Sequence, residues 1–434
     1  MQVLVLGAGI IGISTAWHLL EGGHEVTVVE RRGDAALETS FANAAQISVS
    51  HCEPWASRQL LPKLPGWMLR RDSPLLFRPR LDWQQWRWGL AFLRECNDAA
   101  YERNLRQLVA LGRYSHAALK ELVAATGIEY HRLERGIAQY YTDRRAFDEA
   151  ATAAELMRRH GVDRRMIDTR ELLAIEPALA RFAPRIVGAT YTPSDETGDA
   201  RVFTQQLAAR CAARGARLLY RHHVLRLRCT GNAVDHVAVH AEGTSAGASK
   251  RLKLKADAVV VACGSTSAPL LRAAGVDLPI YPGKGYSATF KIVQPERAPS
   301  VSLIDDELQC AFTRLGDQLR AAGTIELAGF DLGLGTPTAR ARCRLLAERV
   351  AQVLPGVCDT RSEEEGGAPH WWTGLRPATP SNVPFIGRTR IKGLWVNAGH
   401  GTLGWTLGAG SGRALAELVE GRRPAIDFGF LSDR

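Results

Sequence analysis

Apolar and polar positions along this chain follow two different periods, and the change of period marks its first elements. An apolar run within residues 2–6 predicts a buried strand, because a strand covered on both faces shows no polar alternation. A glycine-rich turn follows, and apolar residues then recur on one broad face up to Leu20, which predicts a helix. Residues 25–29 predict a second strand, which ends at Glu30. The pattern therefore indicates a strand–turn–helix–strand unit.

Two further buried strands are predicted far from this unit. Residues 256–264 form an apolar run that ends on glycine, and residues 393–399 form another close to the end of the sequence. A second glycine-rich turn and a helical pattern through Leu418 follow the last strand. A nucleotide-binding sheet that is completed so late in the chain must be interrupted by insertions.

The intervening segments predict a second domain. Apolar spacing predicts helices over 100–125, 145–160 and 201–214, strands over 136–142, 217–229, 286–292 and 319–327, and a small-residue loop or hairpin at 244–249. We therefore predict an α/β fold in which a Rossmann-type domain carries an inserted α+β substrate domain, a mixed sheet roofed by helices. The predicted nucleotide-binding domain comprises 1–50, 195–280 and 366–434, and the predicted substrate domain comprises 51–194 and 281–365.

The first glycine-rich turn has the pattern of a dinucleotide-binding site. Its residues are Gly7, Ala8, Gly9, Ile10, Ile11 and Gly12. Bare glycine backbone lets a pyrophosphate approach the positive N-terminus of the helix, and Glu30 can accept hydrogen bonds from ribose hydroxyls. Strand, helix, second strand and acid all occur in register, so the sequence predicts dinucleotide binding.

The late glycine-rich turn favours FAD over NAD. A simple NAD domain normally completes its sheet locally, whereas here a turn at 399–404 precedes the final helix. Backbone amides at that helix N-terminus can stabilise negative charge at the pyrimidine end of a reduced flavin. The sequence therefore predicts a Rossmann-type FAD-binding domain.

Length and composition indicate a soluble globular enzyme. The chain has 434 residues, of which 46% are hydrophobic and 23% are charged. Its apolar runs are shorter than the roughly 20 residues of a membrane-spanning helix, and no positively charged leader precedes the first strand. We therefore expect a cytoplasmic protein. The eight cysteines include no Cys-x-x-Cys pair, so reduced core thiols are expected and no metal site is predicted.

The basic charge is concentrated in one stretch. The formal net charge is +10, and residues 56–113 hold eleven Arg or Lys against five acids, together with four tryptophans. Basic residues among indoles suit an anionic membrane–water interface, so peripheral contact with the inner membrane is one interpretation. The other is a solvated helical face with tryptophan turned into the core. No nucleic-acid-binding motif accompanies the charge, and nucleic acid is not predicted as a partner.

Longer motifs accompany the glycine motif along the chain, at residues 37–43, 46–48, 54–56, 193–199, 281–286, 372–377 and 399–406. Two of them, Trp-Thr-Gly-Leu-Arg-Pro and Gly-His-Gly-Thr-Leu-Gly-Trp-Thr, are far more specific than the glycine fingerprint. Together these motifs resemble the bacterial FAD-dependent D-amino acid dehydrogenases, which belong to the D-amino acid oxidase, glycine oxidase and sarcosine oxidase superfamily. The resemblance extends from the first strand to the last helix.

The resemblance implies oxidation of D-amino acids. The substrate would lose its α-hydrogen as hydride to flavin N5, the imine would hydrolyse to a 2-oxo acid and ammonia, and electrons would pass to a quinone-type acceptor. In related oxidases the arginine of the Gly-Leu-Arg-Pro motif binds the substrate carboxylate, which implies the same role for Arg376. The alternative role for Arg376 is a structural ion pair. By similarity Tyr286 could donate to the same carboxylate, although a core tyrosine is the commoner role. His400 is expected to line the pocket or to form hydrogen bonds.

The resemblance also supplies the expected cofactor contacts. Besides the glycine motif and Glu30, these are Arg31, Ser40, Ala44, Ala45, Gln46, Ile47, Val224, Cys263, Gly264, Gly399, Gly401, Thr402, Leu403, Gly404, Trp405 and Thr406. Relatives in the sarcosine oxidase branch attach flavin through cysteine. Because no cysteine occurs in the corresponding C-terminal motifs, non-covalent FAD is expected.

Other functions stay open at this point. One is an amine oxidase that uses oxygen, and another is a dehydrogenase restricted to substrates such as D-proline or hydroxyproline. A third is a catalytically silent flavoprotein that serves as a binding module. The side-chain preference, the physiological acceptor and the oligomeric state do not follow from the sequence.

Overall fold

A computed structural model describes residues 1–62, 66, 75–242 and 250–433. The loop predicted at 244–249 lies outside the described residues. So do Lys63, Trp67, Arg70 and Arg71 of the basic stretch.

The described residues form twenty strands. In chain order they are β1 (Gln2–Leu6), β2 (Glu25–Val29), β3 (Gln46–Ile47), β4 (Leu75–Phe77), β5 (Ile137–Tyr141), β6 (Arg165–Ile167), β7 (Gly188–Thr192), β8 (Glu196–Thr197), β9 (Arg217–Leu219), β10 (His222–Thr230), β11 (Ala233–Ala241), β12 (Lys250–Leu254), β13 (Ala258–Val261), β14 (Tyr281–Lys291), β15 (Ser302–Asp305), β16 (Cys310–Leu315), β17 (Gln318–Leu327), β18 (His370–Ala378), β19 (Phe385–Arg388) and β20 (Leu394–Ala398).

Nine α-helices accompany them in the described part of the chain. They are α1 (Ile10–Glu21), α2 (Trp83–Glu95), α3 (Asp98–Thr126), α4 (Arg144–Arg159), α5 (Thr169–Ile175), α6 (Ala200–Ala213), α7 (Ser267–Arg272), α8 (Pro337–Val353) and α9 (Gly404–Val419). The predicted helices at 100–125, 145–160 and 201–214 are confirmed as α3, α4 and α6. The strand predicted over 217–229 is two strands, β9 and β10, because Arg221 adopts a φ of 58° between them.

A six-stranded sheet in the order β19-β20-β13-β1-β2-β9 forms the first layer. All its pairings are parallel except that of β19 with β20. Successive side chains of β1 point to opposite faces, so Val3 and Val5 pack against helices while Leu4 and Leu6 face another apolar cluster with β10, β11 and α7. The apolar run at residues 2–6 is thus a strand buried on both faces, as predicted.

A mixed nine-stranded sheet forms the second layer. Its order is β18-β14-β17-β16-β15-β5-β7-β6, with β4 added beside β17. Helix α8 packs across β14 and β17 through Leu346 and Val350, which share a buried cluster with Phe290 and Phe312. The predicted α/β class, with a mixed sheet covered by helices, is confirmed.

Two segments lie across the predicted domain boundaries. Helix α3 packs against α9 and shares its buried cluster with the helices of the six-stranded sheet, and a Cβ built on Gly410 would lie 2.5 Å from Ser115 Cα. Strand β18 pairs with β14 and so belongs to the nine-stranded sheet. We therefore propose that 98–126 be grouped with the nucleotide-binding layer, and 370–378 with the substrate layer. An amphipathic pattern reveals that a helix is covered, but not which sheet covers it.

Candidate active site

A cavity of about 1120 Å³ lies between the two layers. The loops that follow β1, β13 and β20 bound it on one side, and β14, β17 and β18 bound it on the other. Because neighbouring parallel strands end at the same edge of a sheet, three segments far apart in sequence meet at this wall. This is the edge where doubly wound sheets bind ligands.

The glycine turn places bare backbone against this cavity. Gly7 adopts a φ of 104°, and a Cβ built on Gly12 would lie 1.9 Å from the Gly7 carbonyl oxygen. A Cβ on Gly9 would meet only Ser40 Oγ, at 3.4 Å, on the side where Gly9 lines the cavity. Helix α1 begins at Ile10, whose amide donates to Ser40 Oγ at 3.1 Å, and its cap residue Gly9 has no side chain to cover the N-terminus, which suits a pyrophosphate.

Glu30 stands at the end of β2 and lines the same wall. Its carboxylate accepts hydrogen bonds from the backbone amides of Ala8, at 2.9 Å, and Arg32, at 2.8 Å. An ionised carboxylate has further lone pairs, so Glu30 can hold the turn and still accept from ribose hydroxyls. The glycine turn and Glu30 together fit the dinucleotide predicted for this site.

The turn between β20 and α9 forms the next part of the wall. Gly399 and Gly401 adopt φ values of 89° and 54°, which favour glycine. Helix α9 begins at Gly404, and its cap residue Leu403 supplies no side-chain hydrogen bond. The free amides of this N-terminus are therefore available to a group with developing negative charge.

A strained loop faces that turn. Ala45 adopts a φ of 58°, in the left-handed region that glycine prefers, and its amide donates to Asn43 Oδ1 at 3.0 Å. Thr313 Oγ1 donates to the Ala44 carbonyl at 2.8 Å, and Gln46 Nε2 donates to Ser302 Oγ at 2.9 Å. These bonds fix the loop so that its backbone can lie against a planar ring.

Arg376 presents a cation to the cavity from β18. Its Nη1 donates to the Thr324 carbonyl at 3.0 Å, and no carboxylate pairs with it among the described residues. Burial lowers the pKa of the guanidinium to about 10, so it stays charged at neutral pH without a counter-ion. A Cβ on Gly285 would lie 1.8 Å from Nη1, which shows that glycine makes room for this side chain.

His400 supplies an unsatisfied polar atom in the same cavity as Arg376. The residue is buried, it lines the cavity, and its Nε2 has no hydrogen-bond partner in the part of the chain that the structure describes. Burial lowers the pKa of the imidazole to about 3, so it is neutral at neutral pH. A ligand in the cavity can satisfy this nitrogen, which favours the expected pocket-lining role.

Tyr286 does not reach the substrate region through its hydroxyl. The hydroxyl donates to Glu326 Oε2 at 2.5 Å, and the ring lies in the buried cluster beneath α8 with Ala288 and Phe290. Arg376 faces the other side of the sheet, next to Gly285. The hydroxyl of Tyr286 is thus directed away from Arg376, because neighbouring strand residues point to opposite faces, and we propose that Tyr286 borders the cavity without binding the carboxylate.

Most of the other expected cofactor contacts line the cavity. Those that do so are Ile10, Ile11, Arg31, Ser40, Val224, Cys263, Gly264, Thr402 and Trp405, besides the residues described above. Ile47 instead lies in the apolar core, and Thr406 Oγ1 accepts from the Ser48 amide at 3.0 Å. Ala8 and Gly12 shape the turn without lining the cavity.

Two further walls of the cavity were not predicted from the sequence. One is polar and includes His51, Gln139 and Arg164; His51 Nε2 lies 3.1 Å from Gln139 Oε1. The other is apolar and includes Trp55 and Phe92. Neither forms a motif, because each is assembled from separate segments; of these residues, only Trp55 lies within a segment that carries the resemblance.

Neither a metal site nor a membrane-spanning helix is present within the described ranges. No group of three or more His, Cys, Asp or Glu side chains is arranged there to hold a metal ion. No described helix combines the length and apolar character needed to cross a bilayer.

Comparison with known proteins gave consistent matches. The family model described as DAO, FAD dependent oxidoreductase, matches residues 2–418. A D-amino acid dehydrogenase of Dechloromonas aromatica is 48% identical over 432 residues, covering 99% of this chain and 100% of the relative. One of Paramagnetospirillum magneticum is 45% identical, covering 99% and 97%. The solved glycine oxidase of Bacillus cereus superposes with a TM-score of 0.71 at 23% identity, covering 98% and 96%, which shows a shared fold.

Replacing Gly12 by Ala should impair FAD binding. The added Cβ would strike the Gly7 carbonyl, and such overpacking costs about 1–3 kcal/mol. We expect purified Gly12→Ala to show a reduced ratio of flavin to protein absorbance. Gly33→Ala is the matched control, because its nearest neighbour atom would lie at 3.5 Å. Equal flavin content in both variants would contradict the close approach described here.

Proposed function

The chain belongs to the DAO family of FAD-dependent oxidoreductases, and from that premise we propose that it is a D-amino acid dehydrogenase. It oxidises D-amino acids to 2-oxo acids and ammonia, and the electrons pass to a quinone-type acceptor. The relatives that carry this name match nearly the whole chain. The observation that carries the proposal is Arg376, a cation in the cavity that the dinucleotide wall bounds, for which the described residues supply no counter-ion.

Arg376 binds and orients the substrate. Its guanidinium can take a carboxylate through two parallel hydrogen bonds, which fixes the position of the α-carbon. FAD, when bound along the glycine wall, supplies the acceptor for the hydride that leaves this carbon. His400 is neutral and serves as a hydrogen-bonding wall rather than as a base. Positioning by these residues is thus the main contribution of the chain.

We propose that the FAD is held without a covalent bond. Among the eight cysteines only Cys263 lines the cavity, where its Sγ donates to the Leu6 carbonyl at 3.2 Å. Burial raises the pKa of this thiol to about 12, so it is not the thiolate that attachment to flavin requires.

Denaturation should therefore release the flavin. After heat or acid precipitation, we expect the yellow colour in the supernatant and none in the pellet. Mass spectrometry of the precipitated chain should give the unmodified mass. A mass increased by that of FAD would contradict non-covalent binding.

Anaerobic reduction tests the reaction itself. D-alanine should bleach the flavin absorbance of the holoenzyme, whereas L-alanine should not. Admission of a quinone analogue should then restore the absorbance faster than admission of oxygen. Rapid release of hydrogen peroxide would instead identify an oxidase, and bleaching by D-proline alone would identify a narrower dehydrogenase.

In the same assay, Arg376→Ala should lower kcat/KM for D-alanine by roughly 30-fold to several thousandfold, because leaving one partner of a buried charge pair unpaired costs about 2–5 kcal/mol. Arg376→Lys should recover part of this loss, since it keeps the charge but not the fork. Arg390→Ala is the control, because Arg390 donates to the Gly275 carbonyl at the surface. An unchanged kcat/KM in Arg376→Ala would reject the carboxylate site.

We also propose that the protein touches an anionic membrane through helix α2. Trp83, Trp86, Leu90 and Leu93 are between 46% and 69% exposed. Their spacing puts them on one face of the helix. Tryptophan and leucine in such a row suit the interface of a bilayer, and exposed apolar patches mark interaction sites.

The basic charge of residues 56–113 contributes less to the proposed membrane contact than the composition indicated. Arg58, Arg78, Arg87, Arg103 and Arg106 each form an ion pair with a nearby carboxylate. The apolar row rather than the local net charge therefore supports the contact. Trp88 is turned into the core, as the solvated-face interpretation expected of the tryptophans, whereas Trp83 and Trp86 are exposed.

The double variant Trp83→Gln, Leu90→Gln should bind anionic phosphatidylglycerol vesicles at least tenfold more weakly. Removing two side chains from the interface loses more than the roughly 1.4 kcal/mol that a tenfold change requires. Leu225→Gln is the control, because Leu225 is also half-exposed but lies on β10. Sedimentation with vesicles measures the effect. Equal binding of the double variant and the parent would contradict the membrane contact and favour the interpretation of α2 as a solvated helical face.

A further inference from the structure

The cavity has an apolar wall that is distinct from the glycine turn and from Arg376. Trp55, Leu60, Leu75, Phe92 and Ile325 all line the cavity. They also pack together in one apolar cluster. A wall of five apolar side chains from four separate segments is a built surface for an apolar ligand.

This apolar wall adjoins the reaction region. Ile325 directly follows Thr324, whose carbonyl accepts from Arg376. The Trp55 amide donates to Asn382 Oδ1 at 2.8 Å, and Asn382 Nδ2 would lie 3.8 Å from a Cβ on Gly401 in the flavin turn. A molecule on this wall would therefore stand next to both the substrate carboxylate site and the flavin turn.

The same wall is backed by helix α2. Phe92 points inward from α2, and Trp88 Nε1, also on its inner side, donates to the Ala378 carbonyl at 2.9 Å, two residues beyond Arg376. The outer face of α2 is the exposed apolar row. Because a helix with its side chains is about 10–12 Å across, the surface row and the cavity wall are separated by a single helix.

We propose that this apolar wall binds the ring of a lipid-borne quinone, which enters beside α2 from the membrane surface. The inference rests on the proposed function, since it assumes that substrate oxidation takes place at Arg376. An apolar path from an exposed apolar helix face to the cofactor turn suits an acceptor that is dissolved in lipid. Half-buried Leu60 and Leu75 place the outer end of the wall near the surface.

The exchange balances at this wall. The substrate loses a hydride from its α-carbon and a proton from its amine as the C–N bond becomes an imine. Those two electrons and two protons are what the quinone takes up in net terms, and its two carbonyl oxygens become hydroxyls. The quinol then leaves by the apolar path, and the next substrate can be oxidised.

Filling the outer end of the wall tests the proposal. Leu60→Trp adds bulk where the quinone would enter, and we expect the KM for ubiquinone-1 to rise about tenfold relative to that for a water-soluble dye acceptor. Leu61→Trp is the matched control, because Leu61 is the adjacent exposed residue and does not line the cavity. The holoenzyme is used with D-alanine as substrate.

A second readout does not depend on turnover. A photoreactive azidoquinone should label the peptides that contain Trp55 to Leu60 or Phe92 in the parent, and label Leu60→Trp less. Labelling elsewhere, or equal KM values for ubiquinone-1 in the Leu60 and Leu61 variants, would overturn the proposal. A changed preference for bulky D-amino acids at constant quinone KM would also overturn it, by assigning the wall to the substrate side chain. Failure of D-alanine to bleach the parent flavin would reject the proposed function instead.

Discussion

The parallel pairing of β1 with β13, and of β13 with β20, is the constraint on which the site depends. Val3 pairs with Ala258, and Val259 pairs with Leu394, so that the carboxyl ends of three strands lie along one edge. Each strand is followed by a turn that passes close to its neighbour: a Cβ on Gly7 would lie 2.6 Å from the Ala262 carbonyl oxygen. Residues separated by hundreds of positions thereby form one continuous wall.

Arg376 shows how the second layer completes that wall. A guanidinium to which the described part of the chain offers no counter-ion is costly in a low-dielectric cavity, and it is held there through one carbonyl hydrogen bond and the space left by Gly285. The carboxylate of a bound ligand would supply the negative charge that pairs with the Arg376 guanidinium. Under the proposed function, Arg376 would thus destabilise the fold by itself and stabilise the complex with a substrate carboxylate, as expected where binding and orientation are the main tasks.

The sequence predicted the parts of the site that depend on local order. The glycine turn, Glu30 and the turn before α9 each follow from a few consecutive residues. Tyr286 and Arg376 were both assigned to the carboxylate, but the parity of a strand decides which face a side chain takes, and a shift of one residue reverses it. Ala45 adopts a left-handed backbone conformation, which no pattern of side chains in the sequence predicts. Packing partners, such as α9 for α3, depend on the assembled layers.

Helix α2 is the element whose structure differs most from what the composition indicated. Its stretch of sequence attracted attention through basic charge, but the structure pairs most of the described arginines with carboxylates. What distinguishes α2 is that it is apolar on two opposite faces: Trp88 and Phe92 pack inward, while Trp83, Trp86, Leu90 and Leu93 stay exposed. Burial in the fold accounts for the first face alone. An apolar surface of this kind is stable in water only at a cost, which contact with lipid would remove, and it lies one helix away from the cavity.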